Sequence, residues 1–209
     1  MQKKYILFDH DGVLVDTERW YFEASQKALA EIGVTMTLEQ YLPLMVQGRK
    51  CWELATDASA AVIAEQRDRR NGYYQEYLRT KEIEISGVEE VLEELAGNYR
   101  MAIITTSRRE DFELIHKGRN LVSYMDFVLC LEDYPRSKPA PDPYLAGVHR
   151  FGAPPAEVIA VEDSQRGLQS TIAAGIDCVI VDHPFTRTHD FSGARCSISS
   201  LAELPALLG

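Results

Sequence analysis

Long apolar runs are missing from this 209-residue chain, and none approaches the roughly 20 residues that a membrane-spanning helix needs. A basic surplus is missing as well: 22 Lys and Arg face 32 Asp and Glu, a formal net charge of −10. A chain so charged lacks the positive surface that sequence-independent nucleic-acid binding requires. Neither a membrane nor a nucleic acid is therefore expected as a partner. The start offers two lysines and then only four apolar residues, Tyr5 to Phe8, before charge resumes. That is too short for a secretory apolar segment, so the cytoplasm is the expected compartment. The four cysteines (Cys51, Cys130, Cys178, Cys196) contain no C-x-x-C pair, and the five histidines (His10, His116, His149, His183, His189) have no metal-site spacing. A zinc or disulfide framework is not expected on that ground, and the cysteines are expected as small buried apolar residues. There is also no G-x-G-x-x-G, no Walker loop and no internal repeat.

Present instead is the composition of a globular chain, 45% hydrophobic and 26% charged. Five short apolar runs rich in Ile and Val stand out: Tyr5–Phe8, Met101–Thr105, Phe127–Cys130, Val158–Val161 and Cys178–Val181. Near-continuous apolarity is the mark of parallel strands buried on both faces. Between the later runs lie punctuated helical patterns. Ser86 to Glu89 reads as a capping box ahead of Val88, Val91, Leu92 and Leu95, with Gly97 as the stop. Asp142 followed by Pro143 predicts a helix start, and Ser164 predicts the cap of a helix ending at Gly175. The alternation predicts an α/β fold, a doubly wound parallel sheet with right-handed crossovers. From Val15 to Ser86 the pattern is helical only: Tyr21, Ala24, Ala28 and Ile32 share a face, and Thr37 with Gln40 suggests a further capping box. Residues 16–86 are therefore expected as a small inserted all-helical domain, with 1–15 and 87–209 as the α/β core. Arg67 to Arg70 is expected to lie on a solvated helix face.

Chemistry-bearing residues gather where these strands end. After the first comes Asp9-His10-Asp11-Gly12, two acids leaving a buried strand. Alone, this pattern also suits an ordinary turn or the start of a calcium loop, but no further ligand ladder follows. The second strand runs into Thr105-Thr106-Ser107-Arg108-Arg109, hydroxyls and cations at a helix start, which suits an anion or a simple cap. Lys138 sits in a proline-stiffened loop after the third strand, and the fourth ends in Glu162-Asp163-Ser164. In a parallel sheet all four clusters converge on one edge, the edge where open α/β sheets bind ligands. Asp9, Asp11, Glu162 and Asp163 would repel one another there, by about 4 kcal/mol per pair at 4 Å and an effective dielectric of 20. A cation is needed, and all-oxygen ligands with open positions favour Mg²⁺. With Lys138 and Thr105 holding phosphate oxygens, the set reads as phosphoryl transfer to a carboxylate.

The stretches FDHDGVLVDTE, SKPAPDPYL and VEDSQRGLQSTIAAGI, in this order with Thr105 between the first two, resemble the haloacid dehalogenase superfamily, in its subfamily of phosphatases and β-phosphoglucomutase-like enzymes. The resemblance spans nearly the whole chain. It implies a Rossmann-like core with a helical cap. It further implies Asp9 as the nucleophile that forms an aspartyl-phosphate and Asp11 as the general acid that later activates water. Mg²⁺ would be held by Asp9, the carbonyl of Asp11 and Asp163, with Glu162 direct or one step removed. Thr105 and its neighbour Thr106, with Lys138, match the phosphate-binding positions. Gly48-Arg49 matches a cap loop that contacts a second group of the substrate. Trp20 and Tyr21 either line the pocket or pack within the cap. His10, usually a bulky apolar residue in the family, is expected to point away from the phosphate into the packing.

Two activities follow from this resemblance. One is a Mg²⁺-dependent phosphatase acting on a small phosphorylated metabolite such as a sugar phosphate. The other is a sugar phosphomutase, disfavoured because those enzymes resemble this chain but carry a histidine where Tyr21 stands. A non-catalytic regulatory role is disfavoured because every motif acid and the lysine are present. Oligomeric state is left open, with a monomer as the default.

Overall fold

The computed structural model describes residues 2–209. Its strands are β1 (Tyr5–Phe8), β2 (Arg100–Ile104), β3 (Phe127–Leu129), β4 (Val158–Glu162), β5 (Asp177–Val181) and β6 (Cys196–Ile198). Among the described residues they form one six-stranded sheet in the order β3-β2-β1-β4-β5-β6, with every pairing parallel. This is the doubly wound Rossmann order, in which the direction of winding reverses between β1 and β4. The five apolar runs became strands because burial on both faces suits them: Ile6, Leu7 and Phe8 are fully buried, as are Ile159, Ala160 and Val161. The edge strand β6 was not expected; its three residues, Cys-Ser-Ile, are too short and too polar to show as an apolar run.

Helices complete the chain: α1 (Glu18–Ala30), α2 (Leu38–Val46), α3 (Ala60–Thr80), α4 (Val88–Ala96), α5 (Arg109–Ile115), α6 (Asp142–Phe151), α7 (Gln165–Ala173) and α8 (Leu204–Leu208). Two expected caps are corrected. The Ser86 capping box does not form; Gly87, at φ +82°, starts α4, and a turn from Val88 N–H to the Ile85 carbonyl moves the cap one residue along. At α6 the cap falls on Pro141, so Asp142 is the first helical residue and its carboxylate instead accepts two hydrogen bonds from Arg136. The caps at Thr37 and Ser164 form as expected, Thr37 with a reciprocal Gln40.

The described chain divides into two compact units, residues 17–83 and the remainder. The helical unit ends three residues short of the expected boundary because Glu84 bridges Val15 within the α/β unit. Inside the helical unit, α1 packs on α3 through an edge-on contact of Tyr21 with Tyr74, ring centroids 5.3 Å apart. Arg67, Asp68 and Arg69 are solvated as expected, but Arg70 is half-buried. It shares the i, i+4 face of Gln66, Tyr74 and Leu78, and its guanidinium lies 4.3 Å from the Tyr21 ring centre.

Candidate active site

All the acids and the lysine singled out in the sequence lie in the α/β unit, at the C-terminal ends of its strands. β1 hands directly to Asp9, whose N–H continues the ladder to Val161 of β4 at 2.8 Å. The chain then turns sharply. The His10 carbonyl accepts from the N–H groups of Val13, Leu14 and Val15 at 3.4, 2.9 and 3.2 Å. Gly12 makes the turn possible twice over: its φ is +79°, and a Cβ there would overlap the Asp163 carboxylate. The turn thereby sets the β1 acids beside the β4 acids.

Lys138 joins the two strands. Its Nζ donates to Asp9 Oδ1 at 2.6 Å, to Glu162 Oε1 at 2.6 Å and to the Ile104 carbonyl at 3.1 Å. Glu162 is fully buried and wholly engaged, with Oε1 also accepting from the Tyr144 hydroxyl at 2.6 Å and Oε2 from Ser164 at 3.1 Å. Burial alone would lower the lysine's pKa, but Asp9 and Glu162 more than offset it and hold the pKa above the ordinary value. Asp9 goes the other way. Burial first, then Glu162, push its carboxyl up to about 7, with Lys138 partly offsetting them.

Asp9, Glu162 and Asp163, all buried, each offer a carboxylate oxygen within 4.8 Å of the others. Three hard oxygen donors against one ammonium leave an excess of negative charge, which the raised Asp9 carboxyl also registers. That donor chemistry fits Mg²⁺. Asp163 faces His183 as well, Nδ1 to Oδ2 3.9 Å.

The hydroxyls that follow β2 divide. Buried Thr105 donates to Asp11 Oδ2 at 3.3 Å and accepts from the Ser107 N–H at 3.0 Å. Ser107 donates to the same Asp11 oxygen at 2.8 Å. Thr106 is exposed. His10 is fully buried with its ring in the packing of α5, as expected from the sequence. Gly48 and Arg49 belong to the helical unit, where Arg49 is exposed and ion-paired with Glu53. Tyr21 packs within that unit, and the Trp20 indole N–H donates to the Glu82 carbonyl at 3.0 Å.

Several supporting residues escaped the sequence reading. Tyr144 holds Glu162 from α6, Arg166 donates to the Lys138 carbonyl at 2.7 Å, and Gly167 leaves room for the Glu162 carboxyl, which a Cβ would overlap. Only the Gly167 position carries a local signal, a glycine in the first turn of a capped helix.

A Rossmann-ordered sheet with buried carboxylates and one lysine at its winding reversal defines an α/β enzyme whose chemistry is carried by acids. The family profile of haloacid dehalogenase-like hydrolases matches residues 6–181, and the chain belongs to that family. Protein CbbY of Rhodobacter capsulatus is 29% identical over 97% of this chain and 95% of its own length. Fructose-1-phosphate phosphatase YqaB of Escherichia coli is 27% identical over 87% of this chain and 98% of its own. Among solved structures, CbbY of Rhodobacter sphaeroides in complex with xylulose-(1,5)bisphosphate superposes with a TM-score of 0.83, at 26% identity, over 97% of this chain and 96% of that one.

Proposed function

We propose that this phosphatase of the haloacid dehalogenase-like family is Mg²⁺-dependent and hydrolyses a small phosphorylated metabolite, a sugar phosphate, through a phosphate ester of Asp9. The single observation that carries the reading is the buried Lys138 ammonium bridging Asp9 and Glu162 beside Asp163. Such a site concentrates acids where a dianionic phosphate must bind, so it requires cationic compensation from both the lysine and a metal. Relatives named for sugar phosphates, including the bisphosphate complex above, support the substrate class.

An oxygen of Asp9 attacks phosphorus while the ester P–O bond breaks, and the leaving oxygen takes a proton from Asp11. Asp11, now a carboxylate, takes a proton from water as that water attacks phosphorus and Asp9 departs. Asp9, the Asp11 carbonyl and Asp163 would hold Mg²⁺, which when bound would neutralise charge on the transferring group. Glu162, engaged by Lys138, Tyr144 and Ser164, serves mainly to hold the lysine. Thr105 and Thr106, directly after β2, are assigned to the phosphate, and Lys138 neutralises its charge. The helical unit acts as the cap, with Gly48 and Arg49 reading the remainder of the substrate. No helix among the described residues is long and apolar enough to cross a membrane, and Cys51, Cys130 and Cys178 are buried free thiols, which supports a cytoplasmic enzyme.

The test is phosphate release from a panel of sugar phosphates with and without Mg²⁺, with Asp9→Asn as the control. Metal-dependent release that disappears in the variant is expected. Conversion of β-glucose 1-phosphate to the 6-phosphate without release would replace the phosphatase by a mutase.

A further inference from the structure

His10 and His116 touch end to end in the interior, Nε2 to Nε2 at 2.8 Å, with the Phe112 ring against both at centroid distances of 5.0 and 4.4 Å. The other nitrogen of His10, Nδ1, faces Asp11 Oδ2 at 3.4 Å. The other nitrogen of His116, also Nδ1, is buried with no hydrogen-bond partner among the described residues. These four facts select one arrangement of protons. A buried N–H without an acceptor is penalised more than a bare lone pair, so His116 carries its proton on Nε2. That proton is donated to His10 Nε2, which must then be an acceptor. His10 therefore carries its own proton on Nδ1, aimed at Asp11.

We propose that the His116–His10 pair is a positioning device for Asp11, which fills Oδ2 with donors so that the proton given to the leaving group resides on Oδ1. Ser107 and Thr105 already donate to that Oδ2, at 2.8 and 3.3 Å, and His10 Nδ1 adds a donor 3.4 Å away. With Thr105 turned to the phosphate, Ser107 and His10 still occupy both lone pairs of Oδ2 and leave it no place for an acid proton. His10 and His116 touch no reacting atom in this scheme; they act through Asp11. The inference rests on the proposed role of Asp11 as general acid.

The reacting step makes the device measurable. As the Asp9 oxygen bonds to phosphorus, the electron pair of the broken P–O bond goes to the leaving oxygen. An alkoxide needs the Asp11 proton at that moment, whereas p-nitrophenolate does not. Leaving-group release in the first turnover is measured on the full chain with Mg²⁺, using glycerol phosphate and p-nitrophenyl phosphate. His116→Phe is expected to slow alcohol release about tenfold, as loss of an outer hydrogen-bond partner commonly does, and to leave nitrophenol release unchanged. His116→Gln, whose amide can donate to His10, is expected to restore most of the alcohol rate. Equal losses on both esters, or none on glycerol phosphate, would overturn the proposal. Asp11→Asn serves to separate the two readings: if it shows no preference between esters, the general-acid assignment itself fails. Nitrogen-15 spectra of the wild-type imidazoles give a readout independent of activity and of variant folding. His10 as the Nδ1–H tautomer and His116 as the Nε2–H tautomer are expected, and the reverse pair of tautomers would refute the device.

Discussion

Lys138 and Asp9 form a buried ion pair, Nζ to Oδ1 2.6 Å, and the same ammonium is shared with Glu162 at an equal distance. One cation thus compensates two carboxylates that come from adjacent strands, β1 and β4. Removing it strands both. Replacing Lys138 by Met is expected to destabilise the fold by about 3–5 kcal/mol, the usual penalty for an uncompensated buried charge. Urea unfolding midpoints measure this, and the double variant with Glu162→Gln is expected to recover part of the loss. Additive losses would mean that the pair is not energetically coupled.

Gly167 stands where a Cβ would overlap the Glu162 carboxyl group. On helix propensity alone, Gly167→Ala in α7 would gain up to about 1 kcal/mol. Overpacking in a full core costs about 1–3 kcal/mol, so the clash decides the sign. A lower unfolding midpoint together with weakened phosphatase activity is expected, because Glu162 cannot move without drawing Lys138 after it. A more stable, fully active variant would show that Glu162 has room elsewhere.

Arg49 is exposed and paired with Glu53 at i, i+4, a contact that solvent screens. Arg49→Ala is therefore expected to leave the unfolding midpoint where it is. If Arg49 reads a second anionic group of the substrate, KM for a sugar bisphosphate rises while KM for a monophosphate changes little. Parallel KM changes for both would remove Arg49 from recognition.

Burial first, then the neighbouring His10 and Arg119, hold His116 down at about 3, with Asp11 pulling weakly the other way. The unfolded chain binds a proton near 6.5, so between roughly pH 6.5 and 3 the unfolded state holds the extra proton. Stability must then fall as pH falls through that window, by at most about 1.4 kcal/mol per pH unit from this group. His116→Phe is expected to flatten the pH dependence of the unfolding free energy between pH 6.5 and 4. An unchanged slope would show that His116 titrates normally in the folded protein.

Much of this was legible in the chain itself. Apolar runs such as Ile6–Phe8 and Ile159–Val161 dictate buried parallel strands because no other placement removes so much apolar surface from water. Asp9, Asp11, Glu162 and Asp163 are visible because acids at the ends of such runs have no packing reason to be there, and Lys138 because prolines stiffen its loop. What local pattern could not supply is illustrated by the starts of α4 and α6. At each, a turn or a cross-loop ion pair took the place of the side-chain cap, which contributes only about 1 kcal/mol.

Sequence by itself determined the family, the order of five of the six strands and the identity of the acids gathered at their ends, because these depend on residue type and order. Only the tertiary structure decided which oxygen meets which donor. Lys138 on Asp9 spans 129 positions of sequence, Ser107 on Asp11 spans 96 and His116 on His10 spans 106. Hydrogen bonds act over about 3 Å, and no periodicity along the chain records which distant residues a folded sheet will bring within that reach.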